Sequence, residues 1–331
     1  MCSSDLAAEA APDNPDVTAA RGFHALADGR ADEAASLLQK AEAALPNRLG
    51  IVLGLASAEL TLGRVVDARA TLRRAQARAP QSLPVRSLLG ATELRAGNAA
   101  EALSIATALK AEFPTLSAGY LLEGDTEIAA RRYGAAAESF AKAYERAPTW
   151  PMLTRLLGAL QLAGQPAEAL RASEQWTAAN PEHVPGALAF AGLLQSAGRL
   201  TEALRAYEAV LAVDEANVVA LNNAAWLGNE LGQPGALALA ERAYALDPGN
   251  AAVLDTFGWI LLAENREQEA VTHLSRAAEL APEAPEIRYH LAQALAALGQ
   301  AAEARSLLAA LLEEELDAEQ RAAAKRLLES L

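Results

Sequence analysis

The stretch LGIVLGLASAELTLGRVVDARATLRRAQARAPQS, residues 49–82, decides the fold of this chain. Its eighth, twentieth and twenty-seventh places hold small residues, which are Ala56, Ala68 and Ala75. Gly63 separates two apolar segments, and Pro80 stands near the end. A glycine at such a point can adopt the left-handed backbone that ends a helix, and a proline stops a helix from continuing. The stretch therefore predicts two closely packed antiparallel helices joined by a tight turn.

The same marks recur along the chain with a period of about 34 residues, which resembles the period of tetratricopeptide repeats (TPRs). We count nine repeats within residues 15–316, and we place the missing residue of two short repeats in the turn between their helices. The predicted fold class is all-α: a TPR superhelical solenoid of about nine helix-turn-helix repeats with a C-terminal capping helix. The repeats are expected to start near residues 15, 49, 83, 117, 151, 184, 218, 251 and 285, with 151 and 218 opening the short ones.

The last segment, residues 317–331, has the pattern of a capping helix. Asp317 can accept hydrogen bonds at a helix start, and Gln320 stands three residues later, as in a capping box. A stack of repeats leaves an apolar face at its end, which a helix with a polar outer face can cover. We therefore expect residues 317–331 to close the array.

The opening residues MCSSDL, 1–6, contain the single cysteine of the chain. A lipoprotein cysteine follows an apolar signal segment, and only Met1 precedes Cys2 here. The codons TGC TCT TCC GAT followed by CT encode Cys-Ser-Ser-Asp-Leu, and they resemble the end of a widely used sequencing adapter. We expect residues 1–6 to be translated adapter and residues 7–14 to be the lead-in from a truncated upstream region.

Composition restricts the partners. The chain has 28 Lys and Arg against 42 Asp and Glu, a formal net charge of −14, without a local basic cluster. Such a surface repels phosphates, so nucleic acid is excluded as a partner. No run approaches the roughly 18 apolar residues of a membrane helix. We expect no transmembrane segment in this sequence.

Motifs for catalysis and cofactors are missing from the sequence. It has no phosphate-binding loop, no dinucleotide fingerprint, no HExxH and no CxxC. The four histidines fall in different repeats, and we expect each to be solvated or packed: His24, His183, His273 and His290. The sequence therefore predicts a protein that is not an enzyme and that has no catalytic residue, cofactor or metal.

The first helices of TPRs present their second, fifth, ninth and twelfth places on one concave face. Aromatic rings beside amides suit an extended peptide or a sugar ring. Alternatively, Trp226 and Trp259 pack between neighbouring first helices, and we expect Trp150 and Trp176 to be packing residues. The early repeats place mostly small or aliphatic residues on this face, whereas the last three give a stripe of candidate binding residues: Asn222, Asn223, Trp226, Asn229, Asp255, Trp259, Tyr289 and Gln293.

Residues 218–312 resemble a particular family. The segments that carry the resemblance are ALNNAAW (220–226), LAERAYALDPGN (239–250), VLDTFGWIL (253–261) and PEIRYHLAQAL (285–295). They resemble the C-terminal repeats of the TPR lipoprotein associated with PEP-CTERM/exosortase systems of Gram-negative bacteria. Asn223 matches the place where peptide-binding TPRs often hold a peptide backbone. Ala224 departs from the commoner Leu, and lipidation transfers to no residue because no lipobox is present.

The resemblance implies a periplasmic or cell-envelope protein, lipid-anchored through an N-terminus upstream of this sequence and working beside exopolysaccharide and protein-sorting functions. We expect a non-catalytic scaffold that binds a protein or peptide segment, or exopolysaccharide. One alternative is the regulatory arm of a glycosyltransferase, against which the capped C-terminus argues. Another is a cytoplasmic chaperone-like adaptor, which needs Lys and Arg on the concave face to hold a carboxylate.

Overall fold

A computed structural model describes residues 14–331, so the expected adapter segment 1–6 and nearly all of the lead-in lie outside the described residues. This part of the chain contains 19 α-helices and no strand. The helices in chain order are α1 (Pro15–Ala27), α2 (Ala31–Ala44), α3 (Leu49–Thr61), α4 (Val65–Arg78), α5 (Leu83–Arg95), α6 (Ala99–Glu112), α7 (Ala118–Ala129), α8 (Tyr133–Arg146), α9 (Trp150–Leu162), α10 (Pro166–Ala179), α11 (Val184–Ser196), α12 (Leu200–Val213), α13 (Val218–Glu230), α14 (Ala236–Leu246), α15 (Ala251–Ala263), α16 (Glu267–Leu280), α17 (Pro285–Ala297), α18 (Ala301–Leu312) and α19 (Ala318–Ser330).

The chain divides into two compact units, one ending at Ala169 and one beginning at Leu170. In the first unit, consecutive helices from α1 through α9 are in contact, and α1, α3, α5 and α7 contact one another in succession. In the second unit, consecutive helices from α11 through α19 are in contact, and α13, α15, α17 and α19 contact one another in succession. Each unit is thus a stack of helix pairs whose odd-numbered members are the first helices.

Small residues let the two helices of a pair approach each other. The twentieth place of each pair is buried alanine throughout the described pairs: Ala34, Ala68, Ala102, Ala136, Ala169, Ala203, Ala236, Ala270 and Ala304. At the eighth place, Gly124 faces Phe140, whose ring atom Cε1 lies 2.5 Å from where a Cβ would stand. Close packing explains why these places hold Ala or Gly.

The turns between paired helices require left-handed backbone. Gly63 has a φ of 74°, as the sequence pattern predicts. In two pairs a residue with a side chain takes the same conformation: Arg131 with a φ of 57° and Asn265 with a φ of 59°. A side chain at positive φ is strained, so these two turns are less favourable than the glycine turns.

In one of the two short repeats, the missing residue does not lie where we expected it. Helix α9 begins at Trp150, and the link before it, residues 147–149, has three residues where the links before α3 and α5 have four. The missing residue therefore lies in that link, and placing it in the turn was wrong. The other short repeat has a longer turn, residues 231–235, and a second helix of only 11 residues, α14.

Helix α19 begins with the predicted capping box. The Asp317 carboxylate accepts hydrogen bonds from the backbone N–H groups of Glu319 and Gln320, at 2.9 and 2.8 Å. The Gln320 side chain accepts from the Asp317 N–H at 3.3 Å. None of the described helices is long and apolar enough to cross a membrane.

Candidate functional site

The eight predicted binding residues lie on three first helices of the second unit, and we call them the first-helix stripe. Four stand on α13, two on α15 and two on α17. Helix α13 contacts α15, and α15 contacts α17. All eight side chains are partly buried. Each of these side chains is therefore partly covered by the rest of the array and partly accessible to a ligand.

On α13, the stripe is partly a packing surface. Trp226 packs against a buried cluster that includes Ala191 and Leu194 of α11, so for this residue the packing alternative holds in part. The Asn223 side chain donates to the backbone oxygen of Val219, one turn earlier, at 2.9 Å. Asn222 is different, because its buried Oδ1 has no hydrogen-bond donor among the described residues.

Asn229 lies at the other end of α13. It lines a pocket of about 320 Å³ with the turn that follows, which includes Gln233 and Gly235, and with Glu264. Val219, at the second place of α13, is 55% exposed. Val219 was not among the predicted stripe residues, yet its exposure adds apolar surface beside the amides.

A compact cluster joins α15 to α17. Asp255 Oδ1 lies 2.8 Å from His290 Nδ1, a hydrogen bond between the two helices. The Trp259 ring stacks on the His290 ring, with centroids 4.4 Å apart and planes 27° apart. Tyr289 lies beside them, its centroid 6.4 Å from that of His290. The structure thus brings three stripe residues together around a histidine.

Sequence reasoning missed His290 as a member of this surface. It was expected to be solvated or packed, and it is packed, but its packing partners are Asp255 and Trp259 of the stripe. The available signal was its position next to Tyr289, one place beyond the fifth place of the repeat. That position is weak evidence, because the role of His290 depends on its contacts with Asp255 and Trp259 of the neighbouring first helix.

The other three histidines serve local structure. His183 accepts a hydrogen bond from the Gly186 N–H at 3.0 Å and so caps α11. Trp176 meets His183 edge to face and is buried, as expected of a packing residue. His273 lies against Phe257, with centroids 4.6 Å apart, and burial lowers its pKa. His24 is exposed, 3.4 Å from Asp28.

Beyond Tyr289, the surface continues into a pocket of about 220 Å³ between α17 and α19. Tyr289 and His290 form one wall, and Leu311, Leu316 and Ala324 are among its other residues. Gln293, one turn further along α17, has a buried Oε1 without a donor among the described residues. Unpaired amide oxygens therefore occur on both α13 and α17.

Comparison with known proteins agrees with this architecture. The tetratricopeptide repeat family model matches residues 25–92 and 261–328. The solved structure of the APC/C hetero-tetramer Cut9-Hcn1 matches 90% of this chain at 16% identity, with a TM-score of 0.53. The chain has the tetratricopeptide repeat fold. It spans 59% of the length of that matched chain.

Two further structures are similar to parts of this TPR array. YrrB, described as a TPR protein with an unusual peptide-binding site, matches 55% of this chain and 95% of its own at 19% identity, with a TM-score of 0.44. MamA from Desulfovibrio magneticus RS-1 matches 49% of this chain and 93% of its own at 18% identity, also with a TM-score of 0.44. A comparison with curated proteins finds no match.

The chemistry available on the first-helix stripe of this TPR array is hydrogen bonding and apolar contact. Its only carboxylate, Asp255, is engaged by His290. None of its eight members is Lys or Arg. Nowhere in residues 14–331 do three or more His, Cys, Asp or Glu side chains come together as a metal site would require. The surface is suited to recognition of a ligand by shape and hydrogen bonds.

Proposed function

We propose that this chain is a non-catalytic interaction scaffold that binds an extended polypeptide segment along the first-helix stripe. The observation that carries the proposal is the pair of unpaired amide oxygens, Asn222 Oδ1 on α13 and Gln293 Oε1 on α17. A buried acceptor without a donor costs about 1–3 kcal/mol. An extended polypeptide supplies a backbone N–H at each residue other than proline, and rotation of the amide side chains brings their oxygens to it.

The stacked rings of α15 and α17 support the same proposal. Trp259 and His290 stack as one flat apolar surface, and Val219 adds an exposed aliphatic side chain on α13. Aromatic residues dominate binding energy at protein interfaces when a partner side chain covers them. A sugar ring also stacks on such a surface, so the experiment must distinguish a glycan ligand from a polypeptide.

Charge restricts the segment that can bind. The stripe has no Lys or Arg and the whole chain has a formal net charge of −14. A partner with a clustered negative charge or a terminal carboxylate would find no counter-charge there. The proposed segment is therefore neutral or basic and binds through its main chain.

The proposal extends to the cellular setting. We propose that the scaffold belongs to an exopolysaccharide and PEP-CTERM protein-sorting system on the periplasmic side of a Gram-negative envelope, lipid-anchored through an upstream N-terminus. Its support is the sequence resemblance of residues 218–312 alone. Sequencing the gene upstream of residue 7 tests it: a signal segment ending in a lipobox is expected, and a start codon opening a cytoplasmic protein contradicts the location.

Binding is tested with a peptide selected from a random displayed library against the purified chain. Its dissociation constant is then measured by fluorescence polarisation for the wild type and for Trp259→Ala. We expect a loss of about 2 kcal/mol, which is roughly thirtyfold, because a central aromatic contact is removed.

The matched control is Leu280→Ala, which truncates a partly exposed apolar residue at the end of α16, outside the stripe. It should leave the dissociation constant within about twofold, as expected of a residue that makes no contact with the peptide. Equal losses in the two variants contradict the stripe as the binding surface. Binding of an exopolysaccharide fragment that depends on Trp259, with no peptide selected, would replace the polypeptide by a glycan.

A further inference from the structure

Three successive first helices of the first unit carry a buried glutamate at the same place of the repeat. Glu59 lies on α3, Glu93 on α5 and Glu127 on α7, and their exposures are 9%, 0% and 9%. A buried carboxylate is unfavourable unless a cation or several donors satisfy it. The three sites can therefore be compared by the partners that each carboxylate has.

Glu93 is satisfied at both oxygens. The Arg73 guanidinium from α4 donates to Oε1 through Nε at 3.1 Å and Nη2 at 2.7 Å. Asn98 donates to Oε2 at 2.7 Å. Burial alone would raise the pKa of Glu93, but these hydrogen bonds outweigh it and lower the pKa. A guanidinium from the preceding helix pair is thus the main partner of this carboxylate.

Glu127 also has a guanidinium partner. Arg132, from the turn that follows α7, donates through Nε to Glu127 Oε2. Arg132 belongs to the same helix pair as Glu127, whereas Arg73 belongs to the pair before Glu93. In both cases the partner of the carboxylate is a guanidinium group. Arginine therefore neutralises this place in two of the three repeats.

Glu59 lacks such a partner. Its Oε1 accepts a long hydrogen bond from the Thr71 hydroxyl, at 3.4 Å, and its buried Oε2 has no donor among the described residues. Burial raises the pKa of Glu59 above its ordinary value, whereas hydrogen bonds lower the pKa of Glu93 in spite of its burial. One repeat period before Arg73 stands Gln39, and one period before Asn98 stands Arg64. Arg64 instead donates to Asp32 at 2.8 Å.

Where the arginine stands at Glu93, the Glu59 site has an open polar pocket. Its volume is about 490 Å³, and α2, α3 and α4 line it. Gln39 stands on one side, and Asp67, Thr71 and Arg74 stand on another. Arg74 donates to the Thr71 hydroxyl at 3.3 Å, and not to Glu59. Arg64 and its partner Asp32 also line the pocket, which thus combines an unsatisfied buried carboxylate with hydroxyl, amide and charged groups around it.

We propose that this pocket binds a guanidinium group, supplied by an arginine side chain of a partner polypeptide, against Glu59 as Arg73 binds against Glu93. The terminal torsion of a glutamate is soft, so a small rotation turns Oε2 toward the pocket. The planar guanidinium then donates to the carboxylate through two N–H groups, a geometry that an ammonium cannot reproduce. The proposal is independent of the stripe, because Glu59 belongs to the first unit and the stripe to the second.

The test uses the full chain and three labelled peptides that differ at one position: Gly-Gly-Arg-Gly-Gly, its lysine analogue and its citrulline analogue. Citrulline has the shape of arginine without the charge. We expect the arginine peptide to bind at least about tenfold more tightly than the citrulline peptide, since a charge-assisted pair contributes more than a neutral hydrogen bond. The lysine peptide should lie between them.

Two variants, each of which removes one negative charge, locate the site. Glu59→Gln should weaken the arginine peptide by about tenfold or more, whereas Asp67→Asn, at the exposed rim of the pocket, should weaken it by about threefold at most. Equal effects of the two variants, or equal binding of the arginine and citrulline peptides, would overturn the proposal. Methylguanidinium as a competitor distinguishes the sources: displacement at matched concentrations would indicate a small guanidine compound in place of a polypeptide.

A variant that adds a contact tests the pocket even if Glu59→Gln does not fold. Gln39→Arg places a guanidinium where Arg73 stands one period later, so it should raise the thermal midpoint and block the arginine peptide. The gain in thermal midpoint should vanish in the Gln39→Arg, Glu59→Gln double variant, which should bind the arginine peptide as weakly as Glu59→Gln does. Unchanged peptide binding in Gln39→Arg would contradict the assigned pocket.

Discussion

Two glycine-to-alanine substitutions in the first unit should have different effects on stability. Gly124 on α7 and Gly158 on α9 both lie inside first helices, so alanine gains about 1 kcal/mol of helix propensity at either position. At Gly158, a Cβ meets nothing within 4 Å. At Gly124, it would stand 2.5, 2.6 and 2.9 Å from three atoms of the Phe140 ring.

The packing penalty follows from these distances. The Phe140 ring is rigid and buried, so α7 and the ring must move apart to admit a Cβ. Such overpacking costs about 1–3 kcal/mol. The propensity gain is common to both variants, so the difference between them isolates the packing penalty. Gly158→Ala should stabilise the chain by about 1 kcal/mol, and Gly124→Ala should be about 1–3 kcal/mol less stable than Gly158→Ala.

The assay is urea unfolding followed by far-ultraviolet circular dichroism. Because a repeat array can unfold in parts, midpoint and slope are both compared with those of the wild type. A rescue variant adds a check: Phe140→Leu should destabilise less in the Gly124→Ala background than in the wild type. If Gly124→Ala stabilises as much as Gly158→Ala does, the close approach of helix and ring is not what excludes a side chain there.

Three further substitutions test other features. Arg131→Gly relieves left-handed strain in the turn after α7, partly offset by the greater freedom of glycine in the unfolded chain, and should raise stability by about 0.5–1 kcal/mol in the same urea assay. Burial lowers the pKa of His273, so the folded chain resists its protonation: its share of stability is fully present above the ordinary histidine pKa of about 6.5 and is lost as the pH falls below it. His273→Leu should therefore flatten the decline of the thermal midpoint between neutral and mildly acidic pH, and an unchanged slope would exclude His273 as its cause. A double-mutant cycle of Trp259→Ala and His290→Ala should give a coupling of about 0.5–1.5 kcal/mol in urea unfolding, and additive losses would show that the stacked rings do not interact.

The repeat pattern in the sequence was sufficient to predict the helix pairs, the glycine turns such as Gly63 and the capping box of Asp317. These features depend on local backbone conformation and on contacts at fixed spacing, which the sequence displays directly. The turns at Arg131 and Asn265 were not recognisable, because tertiary packing holds a strained residue where glycine would be expected. The position of the missing residue in the link 147–149 was also beyond the pattern, since a link shortened by one residue leaves the helical spacing intact.

The candidate site was only partly predictable for a different reason. Helical spacing placed Asp255, Trp259 and Tyr289 on one surface, but burial and pairing depend on which side chains meet across neighbouring helices. His290 joined the surface through such a contact. Nothing in the sequence distinguishes Glu59 from Glu93 and Glu127, because all three occupy the same place of the repeat. Only the contacts between helices show that an arginine reaches Glu93 and Glu127 but not Glu59.

We propose above that a polypeptide segment lies along the first-helix stripe. Hydrogen–deuterium exchange of the full chain, with and without the library-selected peptide, tests this placement. We expect slower exchange in Val218–Glu230, Ala251–Ala263 and Pro285–Ala297, while the second helices Ala236–Leu246 and Glu267–Leu280 change little. Protection confined to the second helices, or spread over residues 15–162 with these three first helices unchanged, would contradict it.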